Sequence, residues 1–327
     1  MEYRRLGRCG LSVSALTLGN WATHGAQVDD ARAIATVHAA LDEGITSFDT
    51  SDSYASGRAE ELLGLALKGQ PRHGVEILTK VFWPTAPGPN ERGLSRKHIV
   101  HAVEDSLRRL GVDYIDLYQA HRFDDSVPLE ETLRAFDDLV RQGKVLYVGV
   151  SEWSATSIRS AVRIADEMGL DRIVANQPQY SLLWRVVEKE VQPACQALGI
   201  GQIVWSPLAQ GVLTGKYRPG GSVPPDSRAA DEQGSGYIDR WMRNDVLHSV
   251  QELGDIALRQ GVTTAQLALA WVLTRPSVAS AIIGASSPQQ VRENASAADI
   301  VLDATTISAI EAVTEGVAHF ERPRETS

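Results

Sequence analysis

Cysteine is nearly absent. Cys9 and Cys195 are the only two in 327 residues, and they form neither a metal-ligand nor a redox spacing. That argues against a disulfide framework and against a cysteine-based metal centre. Free thiols suit a reducing compartment, so a cytoplasmic location is expected. Long apolar runs are missing as well. No window approaches ~18 uninterrupted apolar residues, so no membrane span is expected. The opening MEYRRLGRCGLSVSAL has no apolar run ahead of a small-residue cleavage site, so no secretory signal is expected. Positive charge is in deficit: 32 Lys and Arg face 41 Asp and Glu, a net charge of −9. Such a chain is not expected to bind nucleic acid or anionic membrane in general.

Several catalytic signatures are also lacking. There is no H-E-x-x-H, no Cys/His zinc spacing and no G-x-S-x-G nucleophile elbow, so neither a metal nor a serine nucleophile is expected. GVLTGKY has three residues between its glycines and ends in Tyr, which rules out a P-loop. No early strand is followed by G-x-G-x-x-G.

What the chain does have is a rhythm. Short apolar runs rich in β-branched residues recur at 15–18, 45–48, 75–78, 115–119, 145–150, 173–175, 203–205 and 280–283. They lack strict polar alternation, as strands buried on both faces do. Between them lie stretches of helical period at 29–43, 96–110, 129–141, 157–168, 245–259 and 264–273. Gly44, Gly111, Gly143, Gly169, Gly199 and Gly261 fall where left-handed helix C-caps belong. Eight strands alternating with helices imply a parallel sheet. A doubly wound open sheet competes, but without a dinucleotide fingerprint a closed (β/α)8 TIM barrel of the α/β class is the first choice. One such barrel routinely takes ~200 to more than 400 residues, so a single domain over 1–318 is expected. The polar tail 319–327 is expected to be loose. The Pro- and Gly-rich segment 218–236 is expected to be a long loop at the catalytic end.

In a barrel the residues just after each strand line the catalytic mouth. Here they include Asp49 and Tyr54 after the second strand, Lys80 after the third and His121 after the fourth. Ser151, Asn176, Gln177 and Ser206 follow the later strands. A buried Lys80 beside Asp49 would stay charged, and an ammonium near a phenol lowers the phenol pKa from ~10. Tyr54 would then donate a proton to a carbonyl oxygen while His121 hydrogen-bonds the same oxygen. Singly, each residue has a plainer role: a turn cap, a surface aromatic, a solvated charge, a structural histidine. Four complementary groups at consecutive strand ends are far less often coincidence.

These residues lie in longer stretches with a strong resemblance: GITSFDTSDSY, the TK of ILTK, RRLGVDYIDLYQAH, GKVLYVGVS, NQPQYS and IIGASSPQQVREN. Together they resemble the aldo-keto reductase superfamily from Leu6 to about Val313. WSPLAQGVLTGKY and the SRA at 227–229 look most like the branch containing voltage-gated potassium channel β-subunits and their bacterial relatives. The resemblance implies a metal-free, NADPH-dependent carbonyl reductase whose tetrad is Asp49, Tyr54, Lys80 and His121. It implies cofactor contacts from Asn20, Trp21 and Gln27, from Asp49, and from Ser151 and Gln177 at the nicotinamide carboxamide. It places Trp205 against the nicotinamide ring and Ser206, Pro207, Leu208, Ala209 and Gln210 along the pyrophosphate. Lys216 and Arg228 match basic residues there, and Gly284, Ala285, Ser286, Gln290, Glu293 and Asn294 match the adenosine end. A helix starting near Pro288 would also offer free N–H groups to a phosphate, or simply be capped by Ser287.

Three departures modify the resemblance. Glu152 stands where many members carry Asn. Gln290 stands where many carry Arg, which narrows the preference for NADPH over NADH. His121 stands where mammalian channel subunits carry Asn, which favours turnover. Trp21, Trp83 and His121 are expected to wall the substrate pocket, with Phe82 and Trp184 nearby. The expected partner is a small carbonyl compound, with a homo-oligomer left open. Two rivals remain: a cofactor-sensing accessory subunit with little turnover, and a lyase or isomerase using a Lys80 Schiff base.

Overall fold

A computed structural model describes residues 1–225, 227–230 and 235–321. The chain opens with an antiparallel hairpin, β1 (Tyr3–Arg5) and β2 (Ser12–Ser14), which lay outside the sequence pattern. The barrel strands follow: β3 (Leu16–Gly19), β4 (Ser47–Asp49), β5 (Glu76–Val81) and β6 (Ile115–Ala120). The circuit is completed by β7 (Val145–Ser151), β8 (Ala175–Gln177), β9 (Gly201–Val204) and β10 (Val278–Gly284). Each pairs in parallel with the next, and β10 closes onto β3. An open doubly wound sheet would leave two edges; this one leaves none.

Strand alternation sorts the side chains into two layers. On β5, Ile77 and Val81 join the apolar layer under the helices, while Leu78 packs in the lumen and Lys80 lies at its rim. The lumen is filled by Leu78, Leu117, Ala175, Ile203, Ala279 and Ile282. Leu6 and Val13 of the hairpin belong to the same cluster and plug the barrel from below. The plug sits close: a Cβ on Gly201 would lie 2.5 Å from the Gly7 nitrogen, so this approach needs glycine.

The helices start and stop on local chemistry. Asp29, Ser95, Ser154, Thr263, Ser287 and Asp303 each accept a backbone N–H at a helix start. The Ser154 cap moves one helix start forward, to Ala155–Met168. All six glycines expected at C-caps have φ between 63° and 76°. Helices Arg58–Leu67, Val191–Leu198 and Ala304–Thr314 add to those expected.

His319, the first residue of the expected tail, is anchored. His319 exchanges backbone hydrogen bonds with Leu183 and Arg185, and its ring packs on Trp184 and Trp241. Residues 322–327 of the expected tail lie outside the described residues, as do 226 and 231–234 of the long loop. Trp184 is therefore buried in this C-terminal contact rather than lining a substrate pocket.

Candidate active site

The C-terminal ends of β4, β5 and β6 bring Asp49, Tyr54, Lys80 and His121 together. Lys80 is fully buried, and its Nζ donates to Asp49 Oδ1 at 2.6 Å, to the Thr50 carbonyl at 2.7 Å and to the Tyr54 hydroxyl at 3.2 Å. Three donors meet three acceptors. Burial alone would lower the Lys80 pKa, but Asp49 and Tyr54 outweigh it and hold the ammonium above its ordinary value. No lone pair is left for a Schiff base at rest. Burial likewise pushes the Asp49 carboxyl up against the pull of Lys80 and of Gln177, which donates to its Oδ2 at 2.7 Å.

The expected lowering of the Tyr54 pKa is not what the structure gives. Burial raises it, Lys80 pulls it back and Asp49 adds to the rise, so the net direction is up. The phenol is thus held protonated at neutral pH, which is the form a proton donor needs. Tyr54 begins a tight turn in which Ala55, Ser56 and Gly57 all have positive φ, from 47° to 91°. Left-handed alanine and serine cost energy, and such strain collects where a side chain must be aimed.

His121 stands edge-on to Tyr54, with ring centroids 5.7 Å apart, and to Trp83 at 6.2 Å. Burial, Lys80 and Arg122 drive its pKa well below the usual value, so the imidazole is neutral at pH 7. Trp83 and Trp21 are 41% and 36% exposed, which leaves apolar faces open at the mouth. Trp21 meets Tyr237 edge-to-face at 4.8 Å, and the Arg228 guanidinium lies 5.6 Å from its ring. Phe82 packs against Trp83.

The residues matched to a dinucleotide occupy the strand ends of the barrel's second half and the loops around them. Ser151 donates to the Gln177 carbonyl at 2.9 Å, tying β7 to β8. Trp205 donates its indole N–H to Glu152 Oε1 at 3.1 Å, and the same oxygen accepts the Gln179 N–H at 2.6 Å. Glu152 thus serves as the clamp on Trp205, a role its sequence position did not suggest. Ser206, Ala209 and Gln210 all have positive φ, and Gly211 reaches 100°. Gln210 bridges the Ser206 hydroxyl and the Trp241 indole, while Pro207 and Leu208 complete the turn. Lys216 lies over Tyr217 beside this loop. At the far end, Gln290 accepts from the backbone N–H and hydroxyl of Ser286, just after Gly284 and Ala285. Glu293 accepts from Gln289, and Asn294 is buried on the same helix. Asn20 donates to the Ala59 carbonyl, but its buried Oδ1 has no partner among the described residues; Gln27 lies exposed in the following loop. A loop bent through consecutive left-handed residues, a clamped indole, an orphan amide oxygen and two cations together suit a dinucleotide.

Sequence reasoning did not single out a second buried cluster behind the tetrad. Glu60, fully buried, accepts from Thr79 Oγ1 at 2.5 Å and from Arg109 Nε at 2.7 Å. Beside it Asp52 is 1% exposed; it accepts from Ser51 Oγ at 3.0 Å, and its Oδ2 has no partner among the described residues. Gln119, also overlooked, lies 3.5 Å from Gln177 in the lumen. Among the described residues, no group of three or more His, Cys, Asp or Glu is placed to hold a metal. No helix there is long and apolar enough to cross a membrane.

A sequence model of the Aldo/keto reductase family matches residues 15–315. A protein of Arabidopsis thaliana described as a probable voltage-gated potassium channel subunit beta is 45% identical over 304 residues, 92% of each chain. One from Oryza sativa with the same description is 43% identical over 96% of this chain and 97% of its own. One from Schizosaccharomyces pombe, described as a putative subunit of that kind, is 43% identical over 92% of this chain and 89% of its own.

Proposed function

The chain belongs to the aldo/keto reductase family, whose general chemistry is NAD(P)H-dependent oxidoreduction, and from that premise we propose that it is an NADPH-dependent reductase of aldehydes and ketones. The observation that carries the reading is the Tyr54 hydroxyl 3.2 Å from an ammonium that is itself held by Asp49. When bound, NADPH would supply the hydride. Trp205, Ser151 and Gln177 would hold its nicotinamide end. The loop 206–210 with Lys216 would hold the pyrophosphate, and Arg228, Ser286, Gln290 and Asn294 the adenosine end.

The chain's own residues supply the rest. Tyr54 gives its proton to the substrate oxygen as negative charge develops there. A phenol whose pKa sits above 10 still yields its proton readily to an alkoxide, which is far more basic. Lys80 then faces the new phenolate and stabilises it in a site with little water. Asp49 keeps Lys80 charged and fixed. Neutral His121 lies beside the same oxygen and orients the substrate against Trp83 and Trp21.

A second reading has support in the relatives, which are described as channel subunits. An accessory subunit would bind NADPH and a protein partner with negligible turnover. Loss of NADPH absorbance with a panel of aromatic and aliphatic aldehydes tests both readings. Turnover abolished by Tyr54→Phe supports the reductase. Tight NADPH binding with no turnover of any aldehyde overturns it.

A further inference from the structure

We propose that Asp52 acts through Ser51 as a positioning residue for His121, setting which imidazole nitrogen carries the proton and hence which direction of carbonyl–alcohol exchange the site favours. The inference rests on the reading of His121 as the group beside the substrate oxygen.

The geometry is a three-member chain. Ser51 Oγ lies 3.0 Å from Asp52 Oδ1 on one side and 3.3 Å from His121 Nδ1 on the other. Ser53 flanks it, with its Oγ at 3.1 Å and its N–H at 3.4 Å. Both ends of the chain are buried, His121 to 6% exposure and Asp52 to 1%. A serine hydroxyl has one hydrogen, so it donates to one of Asp52, His121 and Ser53 and accepts from the others. The neighbour that receives is decided by Asp52.

When Asp52 is ionised it accepts the Ser51 hydrogen. Ser51 Oγ can then only accept from His121, so Nδ1 carries the ring proton and Nε2 is a bare lone pair. That form accepts an alcohol O–H. When Asp52 is protonated it donates to Ser51 Oγ, and Ser51 donates to Nδ1. The ring proton is then on Nε2, where it donates to a carbonyl oxygen. Passing from the second form to the first, the Asp52 O–H and Ser51 O–H break, new Ser51 O–H and Nδ1–H bonds form, and the Nε2 proton leaves at the mouth. One proton is released, and no other reactant is needed.

The surroundings keep Asp52 near balance. Glu60 faces it from helix Arg58–Leu67, Arg109 from helix Arg96–Leu110, and the Tyr118 hydroxyl, without a partner among the described residues, from β6. Burial, then the Glu60 charge, push the Asp52 carboxyl up to about 7, against the pull of Ser51 and Arg109. The unpartnered Oδ2 agrees, since an orphan oxygen is far less costly on a neutral acid than on a carboxylate. His121 itself faces Lys80, Arg122, Tyr54 and Trp83, and its pKa is driven well down, so its own protonation does not compete near pH 7.

The test pairs kinetics with a direct view of the ring. In ¹⁵N-histidine-labelled protein, with His121 assigned by His121→Asn, ¹⁵N–¹H correlation reports the tautomer below and above pH 7. The proton is expected on Nε2 at low pH and on Nδ1 at high pH, with no change in Asp52→Asn or in Ser51→Ala. The reductive kcat/KM is expected to fall about tenfold per pH unit above the inflection, and the oxidative value to rise through it, with both inflections lost in the two variants. A tautomer that does not change with pH overturns the proposal, as does one that changes alike in both variants. If the tautomer switches with Asp52 but no carbonyl is turned over, the relay stands and the reductase reading falls. If Tyr54-dependent turnover is present without the switch, only the relay falls.

Discussion

Gln177 donates its carboxamide N–H to Asp49 Oδ2 at 2.7 Å, although β8 and β4 lie on opposite sides of the barrel. The carboxylate that fixes Lys80 is therefore gripped from two directions, and the ion pair is held across the whole mouth. Its integrity bears on folding as well as chemistry.

Asp49→Asn and Lys80→Met should each destabilise the protein by about 3–5 kcal/mol, because each leaves one charge buried without its partner. The double variant should lose less than the sum, since both charges are gone. All three should lose reductase activity. Urea unfolding midpoints give the stability cycle, and additive losses would show the pair to be uncoupled.

Glu152→Ala removes the acceptor of two N–H groups, those of Trp205 and Gln179. Leaving such donors unpaired costs about 1–3 kcal/mol. If Trp205 contacts the nicotinamide, NADPH affinity should fall roughly tenfold or more, while Glu152→Gln, which keeps an acceptor, should lose little. Quenching of tryptophan fluorescence by NADPH measures both.

Arg228→Ala should weaken NADPH binding by about tenfold and NADH binding less, with the difference shrinking in high salt, whereas Lys216→Ala, at the pyrophosphate both cofactors carry, should weaken the two alike by about tenfold. Gln290→Arg should tilt the balance further toward NADPH. Paired titrations with the two cofactors at low and high ionic strength check this. Equal losses for both cofactors in Arg228→Ala would remove Arg228 from the adenosine phosphate, and a loss confined to NADPH in Lys216→Ala would remove Lys216 from the pyrophosphate.

His24 supplies a pH prediction for stability. Its ring is 1% exposed, neither nitrogen has a partner among the described residues, and burial lowers its pKa from 6.5 to about 4. The unfolded chain takes up this proton near 6.5 and the folded chain only near 4. Between those values the unfolded state binds more protons, so stability falls as pH falls. The loss attributable to His24 should reach about 3 kcal/mol by pH 4. His24→Leu should flatten that part of the stability–pH curve, read as urea midpoints from pH 7 down to 4.

The barrel was legible because each of its signals is local. Eight apolar runs, capping side chains and six C-cap glycines lie within a few residues of the features they specify. The meeting of Asp49, Tyr54, Lys80 and His121 was legible because alternation and strand ends put Asp49, Lys80 and His121 at one rim. Encounters between distant side chains carry no such pattern. Glu60 meets Arg109 49 residues away, and Ser51 meets His121 70 residues away. The direction of the Tyr54 pKa was missed for a related reason. The cation beside it was evident from the motif, but the degree of burial that outweighs the cation was not. The β1–β2 hairpin escaped notice because three-residue strands of mixed polarity, YRR and SVS, give no periodic signal.

With Leu6 and Val13 wedged into its lower end, the barrel is a blind vessel rather than a conduit. Traffic of solvent, and of any hydron that Lys80 or Tyr54 gains or gives up, is confined to the open rim. A ligand seated there would seal the vessel, and isotope exchange at these groups should then wait on its departure.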